Sequence, residues 1–224
     1  LREGIPIYAS KLTAGFIREK FKEFRIDPRI LNVVKDRQPI SLGDFEIKMI
    51  PVTHSVPDTK HLIIKTPLGN IYHGSDFKFD WTPVGQELPD IQSMTRAGAE
   101  GVVLLLSDCL RSEKNGYSLS EAIVEDSFER EFRGEENRIV VTTMSSNISR
   151  IQQALWVAKR NGRKVAFVGF SVERNVKVAA ELGFLTIPPR LVVDKRKIST
   201  LPKDEQCLII AGSQGQMGSS LERI

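Results

Sequence analysis

Two segments in the first half of the sequence carry side chains suited to metal or acid–base chemistry. His54 comes directly after a predicted strand, and Asp76 follows another predicted strand and the turn at Gly74. A residue at the end of a strand is held on rigid backbone, which suits a metal ligand or a general base. We expect the two strands to be adjacent, so that His54 and Asp76 form a ligand pair for a cation such as Zn²⁺. Taken singly, each pattern is more typical of a hydrogen-bonded loop histidine or a turn-forming aspartate.

Small polar loops in the second half are the other candidates. They are residues 107–109, 143–147, 169–171 and 212–215. Each follows a predicted strand, at the edge where a parallel sheet places its ligands. Loops of this composition let backbone N–H groups approach a phosphate at a helix N-terminus. A simpler interpretation, that Ser146 and Asn147 only cap the following helix, stays open on the local sequence.

The elements that position the first group are short strands and hairpins. Residues 45–52 alternate apolar and polar side chains, as a half-buried strand does. Residues 61–66 and 70–74 flank the turn Pro67-Leu68-Gly69, which predicts a hairpin. One amphipathic helix, roughly residues 11–23, precedes these strands.

The second half alternates apolar strands with amphipathic helices. The predicted strands are 101–106, 138–143, 164–169 and 206–211, and the predicted helices are 147–160, 172–182 and one opened by the capping box Ser118-Leu119-Ser120-Glu121. This alternation of strands and helices indicates βαβ units and a parallel sheet covered on both faces. We place the domain boundary so that residues 1–106 form one domain and residues 107–224 the other.

The composition is that of an ordinary globular chain. Of its 224 residues 41% are hydrophobic and 27% charged, which excludes collagen-like, low-complexity and wholly disordered chains. The net charge of +4 permits a polyanionic partner without demonstrating one. Two cysteines, Cys109 and Cys207, make no disulfide framework, which favours a reducing, cytoplasmic compartment. The longest apolar run, residues 102–106, is far shorter than the roughly 18 residues that span a membrane, so we expect no membrane partner.

Several blocks in register resemble the metallo-β-lactamase-fold nucleases of the β-CASP group. Thr53-His54-Ser55-Val56-Pro57-Asp58 and Gly74-Ser75-Asp76-Phe77-Lys78-Phe79-Asp80 resemble the third and fourth metal motifs of that fold. Ser107-Asp108, with residues 113–118, resembles the acidic first motif of the β-CASP group. Residues 145–153 and 212–215 are similar to segments of the ribonuclease J branch. The similarity runs in order over nearly the whole chain.

The resemblance implies a fold and an activity. The fold is α/β: part of a metallo-β-lactamase αββα sandwich, followed by a truncated β-CASP domain with a mostly parallel sheet flanked by helices. The activity is hydrolysis of RNA phosphodiester bonds, internally and from the 5′ end, with two zinc ions. By analogy His54 ligates one zinc, Asp76 bridges both, and Asp108 orients a histidine from outside the ligand shell.

The resemblance also implies which residues face the RNA. By analogy Ser146, Asn147, Ser213 and Gln214 line the substrate side of the β-CASP domain, and Arg150 holds the RNA backbone. RNA is therefore the expected partner, and a homo-oligomeric parent protein is left open.

The histidines depart from the family pattern. The family has a His-x-His-x-Asp-His cluster upstream and further histidines in a late segment, whereas this chain contains only His54, His61 and His73. Two ligands are too few for a two-zinc site, which uses about four or more. We interpret His61 and His73 as structural or surface residues. We therefore expect a fragment of a ribonuclease that is inactive by itself and holds zinc partly or not at all.

Three other functions remain open. A catalytically silent nucleic-acid-binding or assembly module of the same fold would lack the histidine cluster in its complete natural chain too. A hydrolase of small-molecule esters or thioesters would keep His54 and Asp76 but lack the blocks from Asp108 to Gln214. A nuclease acting on DNA, or on the 3′ ends of messenger precursors, fits the block 146–153 less well than the ribonuclease J branch does.

Overall fold

The computed structural model describes residues 4–212 and residue 221. The chain forms two compact units. The first comprises residues up to 54 and residues 58–120, and the second comprises residues 55–57 and the residues from 121 onward. The division after Ser120 lies further along the chain than the boundary expected at residue 107, so residues 107–120 group with the first unit. The identity of the two predicted domains remains a prediction.

The first unit begins with a small parallel pair of strands. The strand β1 (Ile7–Ala9) leads through the helix α1 (Lys11–Phe24) to β2 (Leu31–Val33), which pairs with β1. The apolar side of α1 packs on this pair, in a cluster formed by Ala9, Ala14, Phe21 and Leu31. The helix predicted at residues 11–23 is thereby confirmed.

A five-stranded mixed sheet forms the larger part of the first unit. In spatial order its strands are β3 (Ile40–Leu42), β4 (Phe45–Pro51), β5 (Lys60–Thr66), β6 (Gly69–His73) and β7 (Leu104–Leu106). Neighbours among the first four strands are antiparallel, and β7 runs parallel to β6. The predicted hairpin between residues 61 and 74 is confirmed.

The turn between β5 and β6 requires a glycine at Gly69. Its φ of +130° is a value that other residues rarely adopt. A Cβ at this position would also stand 2.5 Å from a methyl carbon of Val103. The approach to β7 therefore lies directly against this turn, where Val103 donates a backbone hydrogen bond to the carbonyl of Asn70 (2.9 Å).

A short helix, α2 (Ile91–Ala99), lies in the connection from β6 to β7. Asp90 caps it, because its carboxylate accepts a hydrogen bond from the N–H of Ser93 (3.1 Å). Its side chains Met94 and Ala97 pack against Ile50 and Ile63 of the sheet. The periodicity did not predict this helix, because its nine residues include only two large apolar side chains, Ile91 and Met94.

The second unit alternates helices and strands, as the alternation of apolar and amphipathic segments in its sequence predicts. In chain order its elements are α3 (Ile123–Phe132), β8 (Ile139–Thr142), α4 (Ile148–Arg160), β9 (Lys164–Val168), α5 (Phe170–Glu181) and β10 (Gln206–Ile210). The strand β10 lies between β8 and β9 and is parallel to both, which confirms the parallel sheet for three of the four predicted strands. The strand predicted at residues 101–106 is instead β7, an exposed strand of the five-stranded sheet. All of β10 and most of α4 are buried. None of the helices in the described part of the chain is long and apolar enough to cross a membrane.

The start of α3 differs from the predicted capping box. The helix begins at Ile123, after Ala122, and no side chain caps it. The Glu121 carboxylate, which the box would have used, instead forms an ion pair with Arg150 of α4 (2.9 Å). The carbonyl of Glu121 accepts a hydrogen bond from the side chain of Gln153 (2.8 Å). Tertiary contacts with α4 therefore replace the local cap.

Candidate active site

Three strands of the five-stranded sheet end at the same edge. Because β5 is antiparallel to β4 and to β6, and β7 is parallel to β6, the strands β4, β6 and β7 point the same way. His54, Asp76 and Asp108 follow the last residues of these three strands. The expected placement at strand ends is thus confirmed, but the first two strands are not adjacent, because β5 lies between them.

The residue before His54 ties its loop to the segment after Asp76. Thr53 is almost wholly buried, and its backbone carbonyl accepts a hydrogen bond from the N–H of Lys78 (2.8 Å). Its hydroxyl donates to the carbonyl of Lys78 and accepts from the N–H of Asp80 (3.1 Å). No local pattern in the sequence indicates this role of Thr53, since these contacts join residues that are far apart in the chain.

His54 itself is half-buried. Its backbone carbonyl accepts a hydrogen bond from the side-chain amide of Gln86 (2.7 Å). Backbone contacts on both Thr53 and His54 therefore fix the path of this loop. Gln86 is a second positioning residue that the sequence patterns did not indicate.

Asp58, in the same motif, has a structural role. Its backbone adopts a left-handed conformation with φ of 67°. One carboxylate oxygen accepts a hydrogen bond from the N–H of Leu12 in the first turn of α1 (2.8 Å), and the other pairs with Lys60 (2.9 Å). Both oxygens are therefore used in holding the loop to the helix and the sheet.

Asp76 and Asp108 line one open depression of about 510 Å³, formed by residues 73–76 and 105–108. Gly74 joins its two sides, because its N–H donates to the carbonyl of Leu106 (2.6 Å). Asp76 is exposed, whereas one oxygen of the half-buried Asp108 accepts a hydrogen bond from the N–H of Leu110 (2.9 Å). His54 does not line this depression, so the structure brings together the two carboxylates but not the imidazole.

The buried histidine of this sheet is His61, which lies on β5. Its Nδ1 is hydrogen bonded to the hydroxyl of Tyr72 (2.8 Å), and its Nε2 has no hydrogen-bond partner among the described residues. Burial, helped by the nearby His73, lowers the pKa of His61 to about 4. The ring is therefore neutral at pH 7. Burial likewise raises the pKa of Tyr72 to about 12, so its hydroxyl keeps its proton.

Three of the predicted RNA-facing residues lie at the N-terminus of α4. Asn147 is buried and caps the helix, because its side-chain oxygen accepts a hydrogen bond from the N–H of Arg150 (3.0 Å). The Arg150 guanidinium binds both carboxylate oxygens of Glu121 (2.9 and 3.1 Å). Ser146 is half-buried beside them. Ser213 and Gln214 lie outside the described residues.

The donor types at the sheet edge fit zinc, but their number does not make a site. An imidazole from His54 and a carboxylate from Asp76 are ordinary zinc ligands. Within residues 4–212 and residue 221, however, no group of three or more His, Cys, Asp and Glu side chains is arranged to hold a metal ion. The described residues alone therefore do not form a zinc site.

The sequence is similar to proteins named ribonuclease J. The profile of "Ribonuclease J, beta-CASP domain" matches residues 136–224. Over 225 residues the sequence is 40% identical to "Ribonuclease J" of Thermus thermophilus, which covers 98% of this chain and 39% of that protein. It is 38% identical to "Ribonuclease J" of Mycobacterium tuberculosis, over 100% of this chain and 40% of that protein. It is 36% identical to "Ribonuclease J" of Helicobacter pylori J99, over 98% of this chain and 32% of that protein.

A solved structure shares the fold. A protein of unknown function from Enterococcus faecalis V583 superposes with a TM-score of 0.63 and 15% identity, covering 96% of this chain and 55% of that chain. The parallel sheet, with α4 and α5, lies within the residues that match this profile, which is consistent with a β-CASP domain. The sequence is thus similar to the ribonuclease J proteins over nearly its whole length, which confirms the resemblance seen in its motifs. It spans between about a third and two fifths of the length of the relatives it matches.

Proposed function

We propose that this chain is part of a zinc-dependent ribonuclease that hydrolyses RNA phosphodiester bonds from the 5′ end, internally, or in both ways. The observation that carries the proposal is the common edge at which β4, β6 and β7 end, because His54, Asp76 and Asp108 follow these three strands. The similarity to ribonuclease J proteins supports it over nearly the whole chain.

We assign His54 as a zinc ligand and Asp76 as the carboxylate shared by two zinc ions. The missing ligands come from parts of the parent protein that this chain does not span, so the chain by itself is inactive. Zinc bound there would supply a hydroxide at neutral pH and would polarise the phosphate. Asp108 acts as a positioning residue, which orients a histidine of the completed site.

The second unit carries the residues that are expected to face the RNA. We assign Ser146, Asn147 and Arg150 to the RNA-facing side, together with Ser213 and Gln214. Asn147 acts through the backbone, since its side chain caps α4 and thereby orients the first N–H groups of that helix. Arg150 contacts the phosphates through the part of its guanidinium that Glu121 leaves free.

The test is the variant Asp76→Asn in the complete natural protein, with Asp44→Asn as the matched control. Both aspartates are exposed, and Asp44 lies in the turn between β3 and β4. We expect Asp76→Asn to abolish hydrolysis of a labelled RNA and to lower the zinc content measured by elemental analysis, while Asp44→Asn changes neither. Near-wild-type turnover of Asp76→Asn would contradict the assignment. RNA binding without zinc and without hydrolysis in the wild type would instead indicate a catalytically silent binding module.

A further inference from the structure

Four aromatic rings form a continuous series that leads from the core of the first unit to its surface. The His61 ring meets Phe77 edge-on, with ring centroids 5.1 Å apart. Phe77 contacts Phe79 at 5.1 Å, and Phe79 is stacked on Trp81 with an angle of 11° between the ring planes and centroids 6.5 Å apart. The series begins at a fully buried ring and ends at an exposed one.

Alternate residues of this segment have different roles. Lys78 and Asp80 are bound to Thr53 through their backbone groups, as described above, and the N–H of Thr82 donates to the carboxylate of Asp80 (3.0 Å). The even-numbered residues therefore anchor the segment. The odd-numbered residues carry the rings, and the ring of Phe77 contacts that of Phe79, which in turn is stacked on Trp81.

The outer two rings are exposed although their backbone is fixed. Phe79 is 46% exposed and Trp81 is 62% exposed. Exposed aromatic surface on a rigid backbone is available for recognition without a large cost of ordering it. The ring series also follows Asp76 directly, so that Phe79 and Trp81 lie within roughly 10 and 17 Å of chain from that carboxylate.

We propose that Phe79 and Trp81 form a stacking platform for the bases of single-stranded RNA beside Asp76. The inference rests on the proposed ribonuclease function and adds to it the surface that positions the strand. Aromatic side chains stack on any base, which suits an enzyme that processes RNA of varied sequence. The net charge of +4 permits the same polyanionic partner.

The experiment measures the affinity of the complete natural protein for a fluorescent oligouridine of roughly 12 nucleotides with phosphorothioate linkages. Trp81→Leu keeps an apolar side chain but removes the flat ring, and we expect it to weaken binding about tenfold. Trp81→Phe keeps a ring and should stay within about threefold of the wild type. Phe24→Leu is the matched control, since Phe24 is 65% exposed at the end of α1, and it should bind as the wild type does.

A second probe separates stacking from contacts with the backbone. An abasic oligomer of the same length carries the phosphates without the bases, so Trp81→Leu and the wild type should bind it equally. In hydrolysis assays Trp81→Leu should raise KM about tenfold and leave kcat nearly unchanged, because Asp76 is intact.

Two results would overturn the platform. One is equal affinity of Trp81→Leu and the wild type for oligouridine. The other is a lower melting temperature of Trp81→Leu with unchanged RNA affinity, which would mean that the ring packs against another part of the protein. Failure of the wild type to bind or hydrolyse RNA at all would refute the proposed function itself, and is distinguished from these results by the wild-type measurement alone.

Discussion

Thr53 and Lys78 are joined by two hydrogen bonds: the N–H of Lys78 donates to the carbonyl of Thr53 (2.8 Å), and the hydroxyl of Thr53 donates to the carbonyl of Lys78. The residue before the predicted zinc ligand His54 is thereby fixed to the segment that follows Asp76. The relative position of the two predicted ligands depends on this contact, although neither takes part in it.

Thr53→Val tests this contact, because valine keeps the shape of threonine and removes only the hydroxyl. The carbonyl of Lys78 loses its donor and the N–H of Asp80 loses its acceptor, both close to a buried side chain. We expect the free energy of unfolding to fall by about 2 kcal/mol, measured in urea. Thr142→Val is the control, since Thr142 is exposed on β8, and should change the free energy by less than about 0.5 kcal/mol. Equal effects of the two substitutions would refute the role of Thr53.

Local patterns predicted most of the second unit. The strand predicted at residues 164–169 is β9 (Lys164–Val168), and the helix predicted at 147–160 is α4 (Ile148–Arg160). These elements are set by apolar periodicity and by turn residues within the segment itself. The strands β1 and β2 were missed, because each has only three residues and depends on a partner beyond α1.

The candidate site was predicted only in part, because local patterns show where strands end but do not show which strands lie side by side. The strand ends that precede His54 and Asp76 are visible in the sequence, because alternation and glycine mark them. The insertion of β5 between the two strands follows from hairpin pairing and escaped the prediction. The bond between Thr53 and Lys78 connects side chain to backbone across the fold, and no local pattern reports such a contact.

Asp58 should contribute to stability from outside the site. Asp58→Ala removes the acceptor for the N–H of Leu12 and one of the two carboxylates paired with Lys60, which keeps its ion pair with Asp36 (2.6 Å). We expect a loss of about 1–2 kcal/mol in the free energy of unfolding. Asp58→Asn keeps an acceptor and tolerates the left-handed backbone, so it should cost about 1 kcal/mol.

The measurement for Asp58 is unfolding in urea, with helix content followed by circular dichroism. Asp44→Ala serves as the control, because Asp44 is exposed in a turn and should leave the unfolding midpoint unchanged. A smaller loss for Asp58→Ala than for Asp58→Asn would contradict the assigned role, since it would mean that neither the acceptor nor the left-handed backbone matters there.

His61 should make the stability of the sheet depend on pH. Its pKa is about 4 in the folded protein, below the ordinary value of 6.5 that it regains on unfolding. As the pH falls from 6.5 towards 4, the unfolded chain binds a proton that the folded protein does not, so the free energy of unfolding decreases. Above pH 6.5 His61 is neutral in both the folded and the unfolded state, so it no longer makes the free energy of unfolding depend on pH. We expect a loss of about 1–2 kcal/mol over this range, reduced from the full shift by solvent screening.

The variant His61→Gln isolates this effect from the carboxylates, which also titrate in acid. The free energy of unfolding of the wild type minus that of the variant should decline between pH 6.5 and 4. His73→Gln should move the profile only slightly towards that of His61→Gln, because burial is the larger cause of the lowered pKa of His61 and His73 the smaller. If the wild type and His61→Gln have parallel pH profiles, His61 is not held neutral by burial.

Arg150 and Arg160 occupy opposite ends of α4, and each is paired with glutamate. Arg150 binds Glu121, while Arg160 binds Glu125 and Glu129 of α3. If Arg150 holds the RNA backbone, Arg150→Ala should weaken RNA binding and reduce the slope of log affinity against log salt by about 1, without changing the metal content. Arg160→Ala should leave both the affinity and the slope unchanged. Glu121→Gln gives the opposite sign, because it removes the carboxylate that competes with a phosphate for the guanidinium, and it should strengthen RNA binding. A purely structural Arg150 would instead make Glu121→Gln less stable with no gain in affinity, so the pair of substitutions separates the two roles.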